Sequence, residues 1–138
     1  MKIVTNSEAV GKVIDRSAAQ QSALLPRSGC VRLYWEHGVN VWPVAVRAVA
    51  LYCALQHMLR AARQTIPASG VITIAASNVA LENPARKLVL VSVISSGVNL
   101  DLQSEPIRRL VRECTDNHIT YFIAVGGNTR ISLLLPTA

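Results

Sequence analysis

The sequence predicts an α+β fold, a two-layer α/β sandwich in which about three helices cover one face of a mixed, mainly antiparallel sheet. Helical and strand patterns are interspersed along the chain without a regular strand–helix–strand alternation, and the last strand patterns are joined by short turns. Hydrophobic residues make up 51% of the chain and charged residues 16%, which excludes a disordered protein. The length of 138 residues suits one domain, so we expect a single domain over residues 1–138.

The first helix is predicted to begin at Ser7, with Val10, Val13 and Ile14 on its apolar face. Asn6 or Ser7 can cap it, because a short side-chain oxygen accepts a free N–H of the first turn. Residues 26–29 have the composition of a turn. A strand over residues 30–36 and a short extended piece over residues 39–42 follow, and the chain turns between them at residues 37–38.

The strongest helical pattern is predicted to begin at Pro43, because proline suits the first position of a helix. Pro-Ala-Ser-Gly at residues 67–70 is predicted to end it. This pattern predicts a central core helix. Its apolar stripe recurs at helical spacing over Ala45, Ala48, Val49, Tyr52, Leu55, Leu59 and Ala62.

The remaining elements are two hairpins with a helix between them. Strands over residues 71–76 and 88–94 flank a turn at residues 82–87, and Ser-Ser-Gly at residues 95–97 ends the second strand. Residues 105–114 are predicted to form an amphipathic helix. Strands over residues 121–125 and 129–135 flank a turn at residues 126–128.

The net charge and the aromatic content indicate which kinds of partner the protein binds. Fourteen Lys and Arg against eight Asp and Glu give a net charge of +6, yet only 4% of the residues are aromatic. A dedicated nucleic-acid binder usually carries denser basic clusters and more aromatic residues for stacking on bases, so none is expected. The surplus of aliphatic residues predicts either a large core or an apolar face that a partner covers.

The sequence favours a cytoplasmic protein without a disulfide or a metal site. Its longest apolar stretch, residues 44–59, is interrupted by polar residues and is shorter than the roughly 20 residues of a membrane span. Cys30, Cys53 and Cys114 are widely spaced and odd in number, which predicts buried thiols in a reducing compartment. No Cys or His pair has the spacing of metal ligands, and no cysteine has an evident base beside it.

Four stretches of the chain resemble a known family. Residues 55–62 read LQHMLRAA and residues 67–74 read PASGVITI. They are similar to the ATPase domain of bacterial sensor histidine kinases, where a helix of pattern L-x-N/H-L-L-x-N-A precedes P-x-G-G-x-I-x-I. RRLVRE at residues 108–113 and GGNTRISLLLP at residues 126–136 resemble that family's R-R-L-V-E-x-H-G-G and G-x-G-T-x-F-x-x-x-L-P. The resemblance covers nearly the whole chain and implies the same two-layer fold.

The departures from the family pattern concern its nucleotide motifs. The asparagine that orients Mg²⁺ and the phosphates falls at Ala61, and a methyl group cannot ligate a hard cation. The aspartate that accepts a hydrogen bond from the adenine amino group falls at Ser95. The second glycine of that motif falls at Asn99. Almost no loop separates Asn99 from the helix at Glu105, where the family has a Gly-rich lid over the phosphates.

These departures imply a degenerate, non-catalytic version of the ATPase domain. No catalytic residue, metal or cofactor is expected, and Mg-ATP is a ligand only if the domain is an atypical kinase. If a ligand still binds in the eroded pocket, the resemblance implies that its contacts are His57, Ala61, Ser95, Gly97, Asn99 and Thr129.

The first hypothesis for the function is a regulatory protein–protein interaction module of bacterial signal transduction. Its partner would be a response regulator, a kinase, or a sigma or other transcription factor. A homodimer is a further possibility. Neither nucleic acid nor a membrane is expected as a partner. A basic stripe of Arg108, Arg109 and Arg112 is the candidate contact with an acidic partner. Two alternatives stay open: an atypical ATP-binding protein kinase, similar to anti-sigma-factor serine kinases, and a small-ligand sensor that reuses the pocket.

Overall fold

The computed structural model describes residues 7–25, 30–37, 40–82 and 85–137. Within these ranges the chain forms three helices and five strands. The helices are α1 (Ser7–Ala23), α2 (Ala48–Gln64) and α3 (Glu105–Asp116). The strands are β1 (Val31–His37), β2 (Gly70–Glu82), β3 (Ala85–Ser95), β4 (Thr120–Val125) and β5 (Thr129–Pro136).

The strands form one sheet in the order β1-β2-β3-β5-β4. β1 pairs with β2 in parallel, and the other pairings are antiparallel. Because directly paired residues share a face of the sheet, the register places Ile74, Val93 and Ile131 in one row. This row belongs to the same core cluster as the buried residues of all three helices, so the helices cover that face. The predicted α+β class and the mixed, mainly antiparallel sheet are confirmed.

Helix α2 lies in the middle of the helical layer, where it contacts both α1 and α3. Its side chains Leu51, Leu55 and Met58 have no exposed surface. Burying a side chain of this size stabilises the fold by ~1.5–3 kcal/mol, before the entropy of ordering it is subtracted. The prediction of a central core helix is therefore confirmed.

The start of α2 differs from the prediction, because the helix begins at Ala48 and not at Pro43. The residues before it lie against the end of β5 and form a bend at residues 45–46. The Ala45 N–H donates to Pro136 O at 2.8 Å, next to a single antiparallel bridge at Val44. These contacts hold the segment against β5, and the helix begins only after it, at Ala48.

The buried face of α2 is also broader than the predicted stripe. Ala48 and Val49 were expected to be buried and are exposed, since they belong to the first turn of the helix. Because α1, α3 and the sheet each cover one side of α2, more than one stripe is buried. The buried residues are Ala50, Leu51, Ala54, Leu55, Met58, Leu59, Ala61 and Ala62.

The extended piece that was predicted at residues 39–42 is not a strand of the sheet. Residue 39 lies outside the described residues, and residues 40–43 have no strand pairing. The side chain of Asn78 in β2 holds this segment instead. The Trp42 N–H donates to Asn78 Oδ1 at 2.8 Å, and Asn78 Nδ2 donates to Asn40 O at 2.7 Å. Side-chain hydrogen bonds thus take the place of a backbone ladder.

Both predicted hairpins are present. β2 and β3 pair from Ile72 opposite Ser95 to Glu82 opposite Ala85, so residues 85–87 of the expected turn belong to β3. β4 and β5 form the second hairpin around residues 126–128. Residues 83–84 lie outside the described residues, as do the predicted turns at residues 26–29 and 38 and the predicted cap at residue 6.

The three cysteines are free and differ in burial. Burial raises the pKa of the Cys114 thiol to about 12, and the negative charge of Glu113 adds to the shift. Burial also raises the pKa of Cys53. Cys30 is exposed, so the predicted burial of its thiol is wrong, because it precedes the edge strand β1 and none of the described helices or strands covers it.

Candidate functional site

Three segments of the chain meet at the end of β3. Thr65 Oγ1 donates to Ala62 O at 2.6 Å, so in its 2.7 Å hydrogen bond with Ser95 Oγ the serine is the donor. Ser95 Oγ accepts the Gly97 N–H at 3.1 Å, and Thr129 Oγ1 donates to Gly97 O at 2.7 Å. We refer to Thr65, Ser95, Gly97 and Thr129 as the β3-end cluster. It joins the end of α2 to the bend after β3 and the start of β5.

The side chains of the β3-end cluster are closed to solvent. Thr65, Ser95 and Thr129 are each 0% exposed, as is Ala61 on the preceding turn of α2. A group without accessible surface contacts neither bulk water nor an internal cavity that could hold a water molecule. These residues are therefore part of the packed interior, and their hydroxyl groups are satisfied within the protein.

Gly97 allows two backbone segments of the cluster to touch. A Cβ atom at this position would lie 2.2 Å from Thr65 O and 2.5 Å from the Thr65 carbonyl carbon. Any larger side chain would overlap with that carbonyl group, so the close approach requires glycine.

The structure unites some of the predicted pocket residues and separates others. Ser95, Gly97 and Thr129 lie in one cluster, and Ala61 is buried beside it. Asn99 is exposed, and within the described part of the chain no hydrogen bond joins it to the cluster. Thr65 was missed, because its only sequence signal is a position at the end of a helix, where a hydroxyl can bond to a free carbonyl.

His57 lies apart from the cluster, on the side of α2 that faces α3. Burial lowers the pKa of its imidazole, and the positive charges of Arg60 and Arg109 lower it further, while Glu105 opposes them. The Nδ1 atom of His57 is buried and has no hydrogen-bond partner within the described residues. The neutral form of the ring is therefore favoured in the folded protein.

The lowered pKa of His57 makes folding stability depend on pH. The unfolded chain binds this proton more readily than the folded chain, so stability is lost as the pH falls below the ordinary value of 6.5. We expect the free energy of unfolding to drop more steeply between about pH 7.5 and about pH 5 in the wild-type chain than in His57→Gln. Urea titrations at each pH measure it, and equal slopes for the two chains would contradict the lowered pKa.

An excess of positive charge lies on the exposed side of α3 and the neighbouring part of α2. Glu105 pairs with Arg109 Nε at 2.9 Å and with Arg60 Nη2 at 3.8 Å. Exposed pairs of this kind contribute only ~0–1 kcal/mol to stability. Arg108 and Arg112 are exposed as predicted. We refer to Arg60, Arg108, Arg109 and Arg112 as the arginine cluster, in which Glu105 pairs with two of the four positive charges.

Within the described residues, no group of three His, Cys, Asp or Glu side chains lies close enough together to hold a metal ion. None of the helices in the described ranges has the length and apolar character to cross a membrane.

Solved structures resemble this chain, although no family model and no curated protein matches its sequence. The catalytic domain of histidine kinase ThkA superposes with a TM-score of 0.75 at 11% identity, over 99% of this chain and 97% of that chain. The Acinetobacter baumannii histidine kinase AdeS gives 0.73 at 10% identity, over 99% of this chain and 68% of that chain.

A third structure is the blue-light activated histidine kinase of Erythrobacter litoralis, with a TM-score of 0.70 at 15% identity. The match covers 93% of this chain and 42% of that chain, so this chain spans less than half of that kinase. At such identities the likeness concerns the fold alone. The sheet order, the helical layer and these superpositions together show that the chain has the fold of histidine kinase catalytic ATPase domains over nearly its whole length.

Proposed function

We propose that this chain is a non-catalytic regulatory module of bacterial signal transduction, which acts by protein–protein contact and does not bind ATP. One observation carries the proposal. The side chains at three nucleotide-motif positions of the family, Ala61, Ser95 and Thr129, have 0% exposed surface. Ligand pockets are concave and largely preformed, whereas a nucleotide could reach these side chains only if the packed interior opened.

Opening the β3-end cluster for an adenine ring would break hydrogen bonds that are now satisfied. The bond between Thr65 and Ser95 is worth ~0.5–1.5 kcal/mol net, and so is the bond from Gly97 to Ser95. Ser95 also offers a neutral hydroxyl where the family has a carboxylate, and a hydrogen bond to a charged group contributes about 1.5–3 kcal/mol. Added together, these three losses of hydrogen-bond energy lower the expected ATP affinity by on the order of a hundredfold or more.

The residues at the motif positions do not fit Mg²⁺ either. Magnesium binds oxygen ligands, and the methyl group of Ala61 has none to offer. Glu105, the carboxylate that contacts the arginine cluster in the described residues, already pairs with Arg60 and Arg109. We therefore derive no phosphoryl-transfer step for this chain.

The arginine cluster supports an acidic protein surface as the partner. Complementary charge speeds association and favours one orientation of the two proteins. Receiver domains of response regulators carry clustered carboxylates at their phosphorylation site, so they are the first candidate, and kinases and sigma or other transcription factors with acidic surfaces are the others. We place this function in the cytoplasm, where response regulators act.

The alternatives find less support in the same geometry. An atypical kinase must bind its nucleotide in an accessible pocket. The motif side chains Ala61, Ser95 and Thr129 have no accessible surface, so they do not line such a pocket. A small-ligand sensor that reuses the pocket, with His57 and Ser95 as its lining, needs accessible surface at Ser95, and this residue has none.

Charge reversal tests the role of the arginine cluster. We expect the triple variant with Arg108, Arg109 and Arg112 changed to Glu to bind an immobilised oligoglutamate peptide at least about tenfold more weakly than the wild-type chain. The matched control reverses three exposed arginines on the opposite face of the sheet, Arg32, Arg86 and Arg130. It changes the net charge by the same amount. Equal weakening in the two variants would show that net charge alone, and not the cluster, attracts an acidic partner.

A further inference from the structure

The two edge strands of the sheet are protected very differently. β1, at one edge, carries Arg32 and Glu36, and charged side chains on an edge strand oppose pairing with a further strand. β4, at the other edge, reads Thr-Tyr-Phe-Ile-Ala-Val and contains neither a charged residue nor a proline. It therefore lacks the devices that normally keep an edge strand from pairing.

The outer side of β4 is available for pairing. β4 pairs with β5 alone, and its outward N–H and C=O groups have no hydrogen-bond partner in the part of the chain that the structure describes. Phe122 is 41% exposed and Val125 is 52% exposed. One further strand along β4 would satisfy the free backbone groups and cover apolar surface at the same time.

We propose that β4 pairs antiparallel with β4 of a second copy of this chain, across a two-fold axis that joins the two sheets into one. Phe122 lies on the face opposite the helices, because its neighbours Tyr121 and Ile123 pack against the core. Directly opposed residues share a face in every register of such a pair, and within this proposal we choose the register centred on Phe122, which places Phe122 opposite Phe122 of the second copy. Tyr121 then lies opposite Ile123, and both pairings join apolar side chains, which stabilise neighbouring strands.

The charges near the edge are compatible with a second copy, although each chain carries a net charge of +6. The nearest charged strand residue is Arg130 in β5, which pairs with Ala124. In the proposed register the two Arg130 side chains lie at opposite ends of the interface, roughly 19 Å apart by strand spacing and residue rise. That distance is about twice the Debye length at physiological ionic strength. Because β4 carries no charged side chain, it offers no charge pattern that would select a strand of another protein. In the proposed register its side chains match those of its own copy on both faces of the sheet.

The assembly closes at two copies. A two-fold pairing uses β4 of both chains, and the edges that remain are the two β1 strands with their charged side chains. Because the two chains have the same net charge, added salt should strengthen the dimer and not weaken it. This proposal does not depend on whether the chain binds a nucleotide.

Sedimentation equilibrium of the purified chain tests the proposal. We expect a monomer–dimer equilibrium in the wild-type chain, and a dissociation constant at least about tenfold higher in Phe122→Lys, which places like charges directly opposite each other. The matched control is Tyr34→Lys, which changes an exposed aromatic residue (51% exposed) on the other edge strand and should dimerise like the wild type. Circular dichroism checks that each variant is folded.

A cysteine scan tests the register. On a Cys30→Ser background, Phe122→Cys should form a disulfide-linked dimer, because this residue lies opposite itself. Ala124→Cys should not, because it lies opposite Thr120 of the second copy. A wild-type chain that stays monomeric, or a Phe122→Lys variant that dimerises as well as the control, would overturn the proposal. In the first case the free edge would be left to a strand of another protein, and in the second the dimer would use another surface.

Discussion

Gly97→Ala is expected to destabilise the domain by about 3 kcal/mol or more. The added methyl group would lie 2.2 Å from Thr65 O and 2.6 Å from Thr65 Oγ1. Both Thr65 and the hydroxyl of Ser95 to which it bonds are fully buried, so the end of α2 would have to move away from β3. The movement would also break the hydrogen bond from Thr129 to Gly97 O.

Denaturant unfolding measures this loss, and the chain supplies a matched control. A Cβ atom at Gly126, in the turn between β4 and β5, would meet nothing within 4 Å. Gly126→Ala should therefore change the free energy of unfolding by about 0.5 kcal/mol or less. Equal stability of the two variants would show that the contact between Gly97 and Thr65 is not tight in solution.

Ser95→Asp is expected to have the second large effect, a loss of about 3–5 kcal/mol at neutral pH. Ser95 is 0% exposed, and its hydroxyl donates to Thr65 and accepts from Gly97. A carboxylate can no longer donate, and burial of an unpaired charge is costly. Ser95→Asn is the control, because it has nearly the same size without the charge.

The effect of Ser95→Asp should also depend on pH. Burial raises the pKa of a carboxyl group, so the introduced group gains its proton more easily in the folded chain than in the unfolded chain. The stability of Ser95→Asp should therefore approach that of Ser95→Asn as the pH falls towards about 4. If Ser95→Asp is as stable as wild type at neutral pH and binds Mg-ATP when combined with Ala61→Asn, the cluster is an open, eroded ATP site, which contradicts our proposal.

The elements that local pattern determines could be predicted from the sequence. The amphipathic helix α3 and the hairpin of β4 and β5 depend on residues that are close together in the chain. The start of α2 could not be predicted in this way. Pro43 has the properties of a first helical residue, but Ala45 bonds to Pro136 in β5, and this contact with a residue distant in sequence holds the segment outside the helix.

The candidate site, too, could be predicted only in part from the sequence. The family pattern identified Ser95 and Thr129, and it located Ala61 on the adjoining helix. It could not show that these positions are closed, because closure depends on Thr65, which approaches Ser95 and Gly97 only after α2 packs on the sheet. The exposure of a side chain is a property of the packed protein, and a motif carries no information about it.

Titration of the purified chain with Mg-ATP and Mg-ADP tests the central claim most directly. Calorimetry measures the heat of binding, and thermal unfolding measures the stabilisation that any ligand of the folded state must produce. A ligand at one hundred times its dissociation constant would add about 2.7 kcal/mol of stability. For a domain of this size that is a rise in Tm of roughly 5–15 °C. We predict no heat and no rise in Tm at millimolar nucleotide, whereas a dissociation constant in the micromolar range would contradict the account of a closed, non-catalytic domain.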